Sequence, residues 1–157
     1  MGVEVDLGRR KALKTGGVIG LLGLLAAAGL IHPKTASAGG PRAAFEARTM
    51  DEALDALGVV VPENSAAIRL TAPDVAANGA LVPVTVESSL VRTEQIAILV
   101  DKNPTMLAAS FTIPEGTDGY LTTNIKMGQT ASVIALVKAD GKFYRASKEV
   151  SVTQGGC

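Results

Sequence analysis

Along residues 66–153 the chain alternates apolar and polar positions or runs in short apolar blocks. The blocks cover 66–71, 81–88, 95–101, 107–113, 120–127, 130–139 and 142–153. Turn formers separate them: Pro73, Asn78-Gly79, Asn103-Pro104, Glu115-Gly116, Gly128-Gln129 and Asp140-Gly141. A period of two bounded by such residues predicts seven strands. Asp140-Gly141 predicts a tight two-residue hairpin. Pro83, which cannot donate a ladder hydrogen bond, predicts an edge position or a bulge within its strand. Ahead of the strands, after a flexible start to the mature chain, the spacing changes: Phe45, Met50, Ala53, Leu54 and Leu57 recur at helical intervals. Thr49 with Glu52 three positions later has capping-box form, and Gly58 is placed to end the helix. The apolar face of this helix is short and not basic, so it is expected to pack on its own sheet or on a partner rather than on a membrane. The fold class expected is all-β: an immunoglobulin-like, seven-stranded β-sandwich with a short N-terminal helix and a flexible C-terminal arm.

Residues 1–38 read differently. A short polar start leads into Arg9-Arg10-Lys11-Ala12-Leu13-Lys14, then an apolar run over 16–31, then Lys34-Thr35-Ala36-Ser37-Ala38. Charged region, apolar region and small-residue cleavage site in that order make an export signal. The adjacent arginines match the twin-arginine pattern, although Ala12 stands where a large apolar residue is usual. The run is shorter than the ~20 apolar residues of a spanning helix and holds several glycines, so a cleaved signal is expected and no membrane anchor after cleavage. The expected organisation is a signal over 1–38, a β-sandwich domain with its helix over 39–153, and a carrier arm over 154–157. The expected location is the periplasm.

Removing 1–38 removes His32, the single histidine of this 157-residue chain. What remains has one cysteine and no imidazole. Zinc sites built from several Cys or His ligands, and Ser-His-Asp or Cys-His catalysis, therefore cannot be assembled from this chain alone. The chain is neutral overall, with 15 basic and 15 acidic residues, and loss of the basic leader leaves a mildly acidic body. Such a body, with no tryptophan, is a poor nucleic-acid binder. No phosphate-binding glycine loop is present. These absences point away from an enzyme and from any resident cofactor or metal.

The chemistry that remains is Cys157, preceded by Gln154, Gly155 and Gly156. Two glycines give the backbone wide freedom and no side chain to block a narrow channel. At about 3.3–3.6 Å per residue, the four residues after Thr153 reach about 13–14 Å, enough to enter a partner's cleft. A thiolate there can form disulfides, persulfides or S-sulfonates. The bland alternative is an immunoglobulin-like structural or assembly module whose exposed cysteine is incidental.

Several segments resemble one family. Gly155-Gly156-Cys157 and the twin-arginine leader occur together with three stretches of the body. These are Ala76-Ala77-Asn78-Gly79-Ala80-Leu81-Val82-Pro83-Val84, Ile96-Ala97-Ile98-Leu99-Val100-Asp101-Lys102-Asn103-Pro104 and Ile125-Lys126-Met127-Gly128-Gln129-Thr130. Ala139-Asp140-Gly141-Lys142, followed by Lys148-Glu149-Val150, is a fourth stretch. Together they are similar to the SoxY family, the sulfur-carrier subunits of SoxYZ complexes. The resemblance implies a non-enzymatic carrier in thiosulfate oxidation, with intermediates bound covalently to Cys157. It implies SoxZ as the heterodimer partner and transient contact with SoxAX, SoxB and, where present, SoxCD. The family arm reads Gly-Gly-Cys-Gly-Gly, whereas the sequence here stops at Cys157. A carboxylate next to the sulfur would disfavour the thiolate and repel an anionic substrate, and trailing glycines would leave the usual chemistry in place.

Other residues have plainer expected roles. Lys126, Met127 and Gln129, at a strand end, are read as an ordinary exposed turn, the alternative being contact with SoxZ or an enzyme; Asp101-Lys102-Asn103-Pro104 is read as a turn set by Asn-Pro, the alternative being a docking loop. Asp51, Glu52 and Asp55 are read as a solvated helix face, and Met50, Met106 and Met127 as packing residues rather than copper ligands.

Overall fold

The computed structural model describes Pro41–Gly156. The export signal expected over 1–38 and Cys157 both lie outside the described residues. Two helices, α1 (Pro41–Glu46) and α2 (Met50–Leu57), precede nine strands. The strands are β1 (Glu63–Asn64), β2 (Ile68–Thr71), β3 (Val75–Ala76), β4 (Val82–Ser88), β5 (Thr93–Val100), β6 (Leu107–Thr112), β7 (Gly119–Ile125), β8 (Ala131–Ala139) and β9 (Lys142–Val152). One sheet runs β1-β9-β8-β5-β6, with β3 also paired to β9, and a smaller sheet runs β2-β4-β7. The fold is therefore mostly β. Each of the seven expected segments holds a strand. The count differs because β1 and β3 are two-residue strands that lie parallel to β9. Segments that short carry no readable alternation.

The central strand β5 explains the layering. Ile96, Ala97, Ile98, Leu99 and Val100 are all buried, so neither face of the strand meets water. Ile96, Ile98 and Val100 face the small sheet and pack with Val82, Val84 and Val86 of β4. Ala97 and Leu99 face the other way and pack with Leu136 of β8 and with Ala44, Ala47 and Ala53 of the helical segment. The result is three layers: helices, large sheet, small sheet. The amphipathic helix thus packs on its own sheet. Phe45, read at helical spacing with Met50–Leu57, falls instead in a separate short helix over 41–46. Pro41 is pre-organised for a first helical turn, and Ala44 is fully buried against the sheet layer. Met106 N–H also donates to the Ala47 carbonyl at 3.0 Å, tying the linker between the helices to the start of β6.

Local signals hold in detail. Thr49 Oγ1 accepts from Glu52 N–H at 3.2 Å, and the Glu52 carboxylate accepts from Thr49 and Arg48 N–H at 3.3 and 3.0 Å. Those bonds, Arg48's first, hold the Glu52 carboxyl below its ordinary range. Asp51 and Asp55 are exposed, as a solvated face requires. Asp140 and Gly141 both adopt positive φ (52° and 72°), and Ala139 pairs with Lys142 across them, giving the expected two-residue hairpin. The edge position expected at Pro83 is met only locally, since β4 is the middle strand of its sheet. The ladder from β2 ends where Thr71 pairs with Thr85, so at Pro83 only β7 lies alongside. A central strand accommodates the proline because one neighbour is short.

Leu99→Ala removes a fully buried side chain at the join between helices and sheet. Its expected cost is about 2–5 kcal/mol, by analogy with other buried leucines. Urea unfolding checks this, and a loss under about 1 kcal/mol would show that the helical layer is not packed on β5.

Candidate functional site

β9 runs from the Asp140–Gly141 hairpin along the large sheet and delivers the chain to the opposite end of the sandwich. Three turns meet it there: residues 76–81 before β4, residues 101–105 after β5 and residues 126–130 between β7 and β8. These hold parts of three of the stretches that carry the family resemblance. Apart in sequence, they are neighbours in space because Val82 pairs with Ile125, Ala131 with Val150, and Val100 with Val133.

The arm leaves β9 under tight restraint. Val152 N–H donates to Thr130 Oγ1 at 2.9 Å, and Thr153 N–H and Oγ1 both donate to the Ala76 carbonyl at 3.1 and 3.2 Å. The chain then passes between two turns. Gly79 N–H donates to the Gln154 carbonyl at 2.7 Å, and Gly156 N–H donates to the Met127 carbonyl at 3.0 Å. The turns are joined to each other by Met127 N–H donating to the Gly79 carbonyl at 2.8 Å. The Asn78 side chain closes the first turn by accepting Ala80 N–H at 2.9 Å. Two backbone turns thus form a seat for Gln154, Gly155 and Gly156.

The glycines have a steric reason. A Cβ on Gly156 would overlap the backbone of Gly79 and Ala80, and one on Gly155 would overlap the Gly128 carbonyl. A Cβ on Gly79 would overlap the Met127 carbonyl and stand 3.0 Å from both Gly156 N and Val152 Cγ1. Backbones this close exclude side chains from all three positions. The freedom expected of the arm glycines is therefore joined by a second property, a fit to the body. The two direct bonds contribute about 0.5–1.5 kcal/mol each, a hold weak enough to release.

Some of these residues were legible in the sequence and some were not. Gln154, Gly155 and Gly156 are brought together with the body, and Cys157 follows directly in the chain. The expectation of an ordinary exposed turn holds for Lys126 and Gln129, which are exposed, and needs correction at Met127. Met127 is fully buried, and its backbone supplies both an acceptor for the arm and a donor to Gly79. Met50 and Met106 sit with the helical cluster and Met127 with the sheet core, so all are packing residues. Sequence reasoning missed Gly79 and Gly128 because turn signals already accounted for them. The usable signal was the shared pattern of glycines in the arm and in both turns.

Elsewhere the surface offers less. A cleft of about 780 Å³ at the other end of the sandwich is lined by residues that include Ser88, Thr93, Glu94 and Asp140. Three of its charged groups already have partners. Arg92 pairs with Asp140, and Glu94 accepts from Gly141 N–H and pairs with Lys138. Those contacts, the Gly141 bond foremost, hold the Glu94 carboxyl below its ordinary range. Among the described residues no group of three or more His, Cys, Asp or Glu could hold a metal ion. Among the same residues, no helix is long and apolar enough to cross a membrane.

The profile of the family described as "Sulfur oxidation protein SoxY" matches residues 54–157, a span that begins inside α2 and runs through the seat to Cys157. The chain belongs to the SoxY family. Among solved structures, the sulfur carrier protein SoxY from Chlorobium limicola f thiosulfatophilum is 36% identical, with a TM-score of 0.62. That match covers 69% of this chain and 96% of the Chlorobium chain. The superoxide reductase (neelaredoxin) of Ignicoccus hospitalis is more remote, at 15% identity and a TM-score of 0.47 over 54% of this chain and 79% of its own. No curated protein matches. In this SoxY family member, the seat and its glycines fall wholly within the matched region.

Gly155→Ala and Gly156→Ala are expected to unseat the arm while leaving the sandwich intact. Amide protection at Gly79 and at residue 156 should fall to the level of free chain, with the melting temperature within about 2 °C of wild type, since terminal segments contribute little to global stability. Unchanged protection in both variants would mean that the seat tolerates side chains.

Proposed function

We propose that this protein is a periplasmic sulfur carrier that holds thiosulfate-derived groups on Cys157 and presents them to partner enzymes. The observation that carries this reading is the SoxY match extending to Cys157. It is supported by an arm root held by backbone bonds at one end of the body. The protein's contribution is a nucleophilic sulfur on a releasable tether; bond making and breaking around it belong to the partners.

The reactive form is the thiolate, and an unperturbed thiol has a pKa of about 8.5, so a minor fraction is ionised at neutral pH. Loading joins the Cys157 sulfur to the outer sulfur of thiosulfate. The thiol proton is released and an electron pair leaves to the c-type cytochrome SoxAX, giving a cysteine S-thiosulfonate. Hydrolysis by SoxB then adds water across the terminal sulfur–sulfonate bond, releasing sulfate and a proton and leaving a persulfide on Cys157. SoxCD, where present, would oxidise the retained sulfur. The seat supports such a cycle because the same arm must be held between steps and extended during them. SoxZ is the proposed stable partner. Export through the twin-arginine route, which carries folded proteins, would suit a pair assembled before crossing.

Intact mass before and after reductant tests the cargo. Protein from thiosulfate-grown cells should carry reductant-sensitive sulfur or sulfonate additions, all absent in Cys157→Ser, and that variant should abolish thiosulfate oxidation. Oxidation at the wild-type rate in Cys157→Ser would end the carrier reading in favour of a module with an incidental cysteine. In the same cells, Arg9→Lys with Arg10→Lys should leave unprocessed chain in the cytoplasm, while wild-type chain co-elutes with SoxZ from the periplasm. A processed, periplasmic double variant would remove the twin-arginine route. Wild-type chain eluting without SoxZ would remove the heterodimer.

A further inference from the structure

The turn after β5 reaches across to the turn that seats the arm. Asn103 spans the gap with both ends of its carboxamide. Its Nδ2 donates to the Lys126 carbonyl at 2.7 Å, and its Oδ1 accepts from Gly128 N–H at 3.0 Å. Beside it, the Lys102 carbonyl accepts from Gln129 Nε2 at 3.3 Å. Asp101 fixes the other end of the same connection, accepting Ser132 N–H at 2.8 Å while its own N–H donates to the Ser132 carbonyl at 3.2 Å. The turn expected from Asn-Pro is thus also a clamp on residues 126–129.

The placement of the two carboxamide bonds is specific. They fall on the carbonyl before Met127 and on the N–H after it. Between them stands Met127, whose carbonyl accepts Gly156 N–H and whose N–H donates to Gly79. The amide of Gly128 is in the same peptide plane as the Met127 carbonyl, so a side chain holding that N–H also aims that carbonyl. A carboxamide is the side-chain group that offers a donor and an acceptor at this spacing. A carboxylate would set oxygen against the Lys126 carbonyl, and an apolar side chain would leave both backbone groups unmet.

We infer that Asn103 is a positioning residue for the carrier arm: by clamping residues 126–128 it orients the Met127 carbonyl and so sets the balance between seated and released Gly156. The inference rests on reading Cys157 as the loaded group, because that reading gives the balance a consequence. A partner that binds only the released arm must draw from the released population, and a firmer seat lowers that population. In this scheme Asn103 acts through the Met127 peptide.

Hydrogen exchange on the full, reduced chain tests it. Asn103→Ala should lower protection at the Gly156 amide about threefold to tenfold, the equivalent of one neutral hydrogen bond. Protection across β5 and β8 and the melting temperature should hold. Asn103→Asp keeps the acceptor for Gly128 N–H, and should give a smaller loss at Gly156; it also serves if the alanine variant does not fold. The decisive comparison is the double variant. In a Gly156→Ala background, where the arm is already unseated, Asn103→Ala should produce no further change at residue 156. Wild-type protection at Gly156 in both Asn103 variants would overturn the inference. So would an equal loss throughout β5 and β8, or a full Asn103 effect persisting in the Gly156→Ala background. Exchange requires no sulfur compound. A failed cargo test with Cys157→Ser would therefore leave the seat standing, and a failed exchange test would leave the cargo reading standing.

Discussion

Burial of β5 on both faces is the constraint on which the rest of the molecule depends. Five consecutive apolar residues, Ile96 through Val100, can leave water only if something covers each side. The small sheet covers one and the helical segment the other. With about 1.5–3 kcal/mol available for each large side chain buried, this strand fixes where both outer layers must lie. The turn that leaves it then emerges at one defined end of the sandwich. Asn103 can clamp residues 126–128 because β5 delivers it there.

A rigid frame has a second use at that end. The arm is held by backbone groups, and backbone hydrogen bonding at such short range needs carriers that do not shift. β4, β7, β8 and β9 provide them through continuous ladders running up to the seat. The seat adds little stability to the whole. It is a place where a few weak bonds are aligned, so that a segment can be held or released without disturbing the core. Where a carrier needs its reactive group both retained and presented, marginal holding on a stable frame meets the two demands together.

The body was largely legible in the sequence, because period-two blocks, the Asp140-Gly141 turn and the Thr49–Glu52 box each depend on neighbours in the chain. The two-residue strands β1 and β3 were not, since their pairing with β9 comes from distant contact rather than local pattern. Pro83 signalled a local edge but not its cause, for the same reason. A proline excludes a hydrogen bond, but how far β2 extends decides whether one is asked for. Phe45 showed helical spacing, but a separate helix over 41–46 was not legible because it depends on the burial of Ala44 and Ala47 under the sheet layer.

The candidate site divides in the same way. The sequence by itself determined which chemistry this protein can offer: a single thiol, glycines before it, and a set of stretches belonging to the SoxY family. Composition and order suffice for that, since they establish which atoms exist. Only the tertiary structure decided that Gly79, Met127, Gly128 and Asn103 belong to the same site as the arm. Their common property is proximity between backbones, set by strand register and by the two-sided burial of β5. A glycine that permits a turn and a glycine that admits another chain read alike in a sequence, and differ only in what stands beside them.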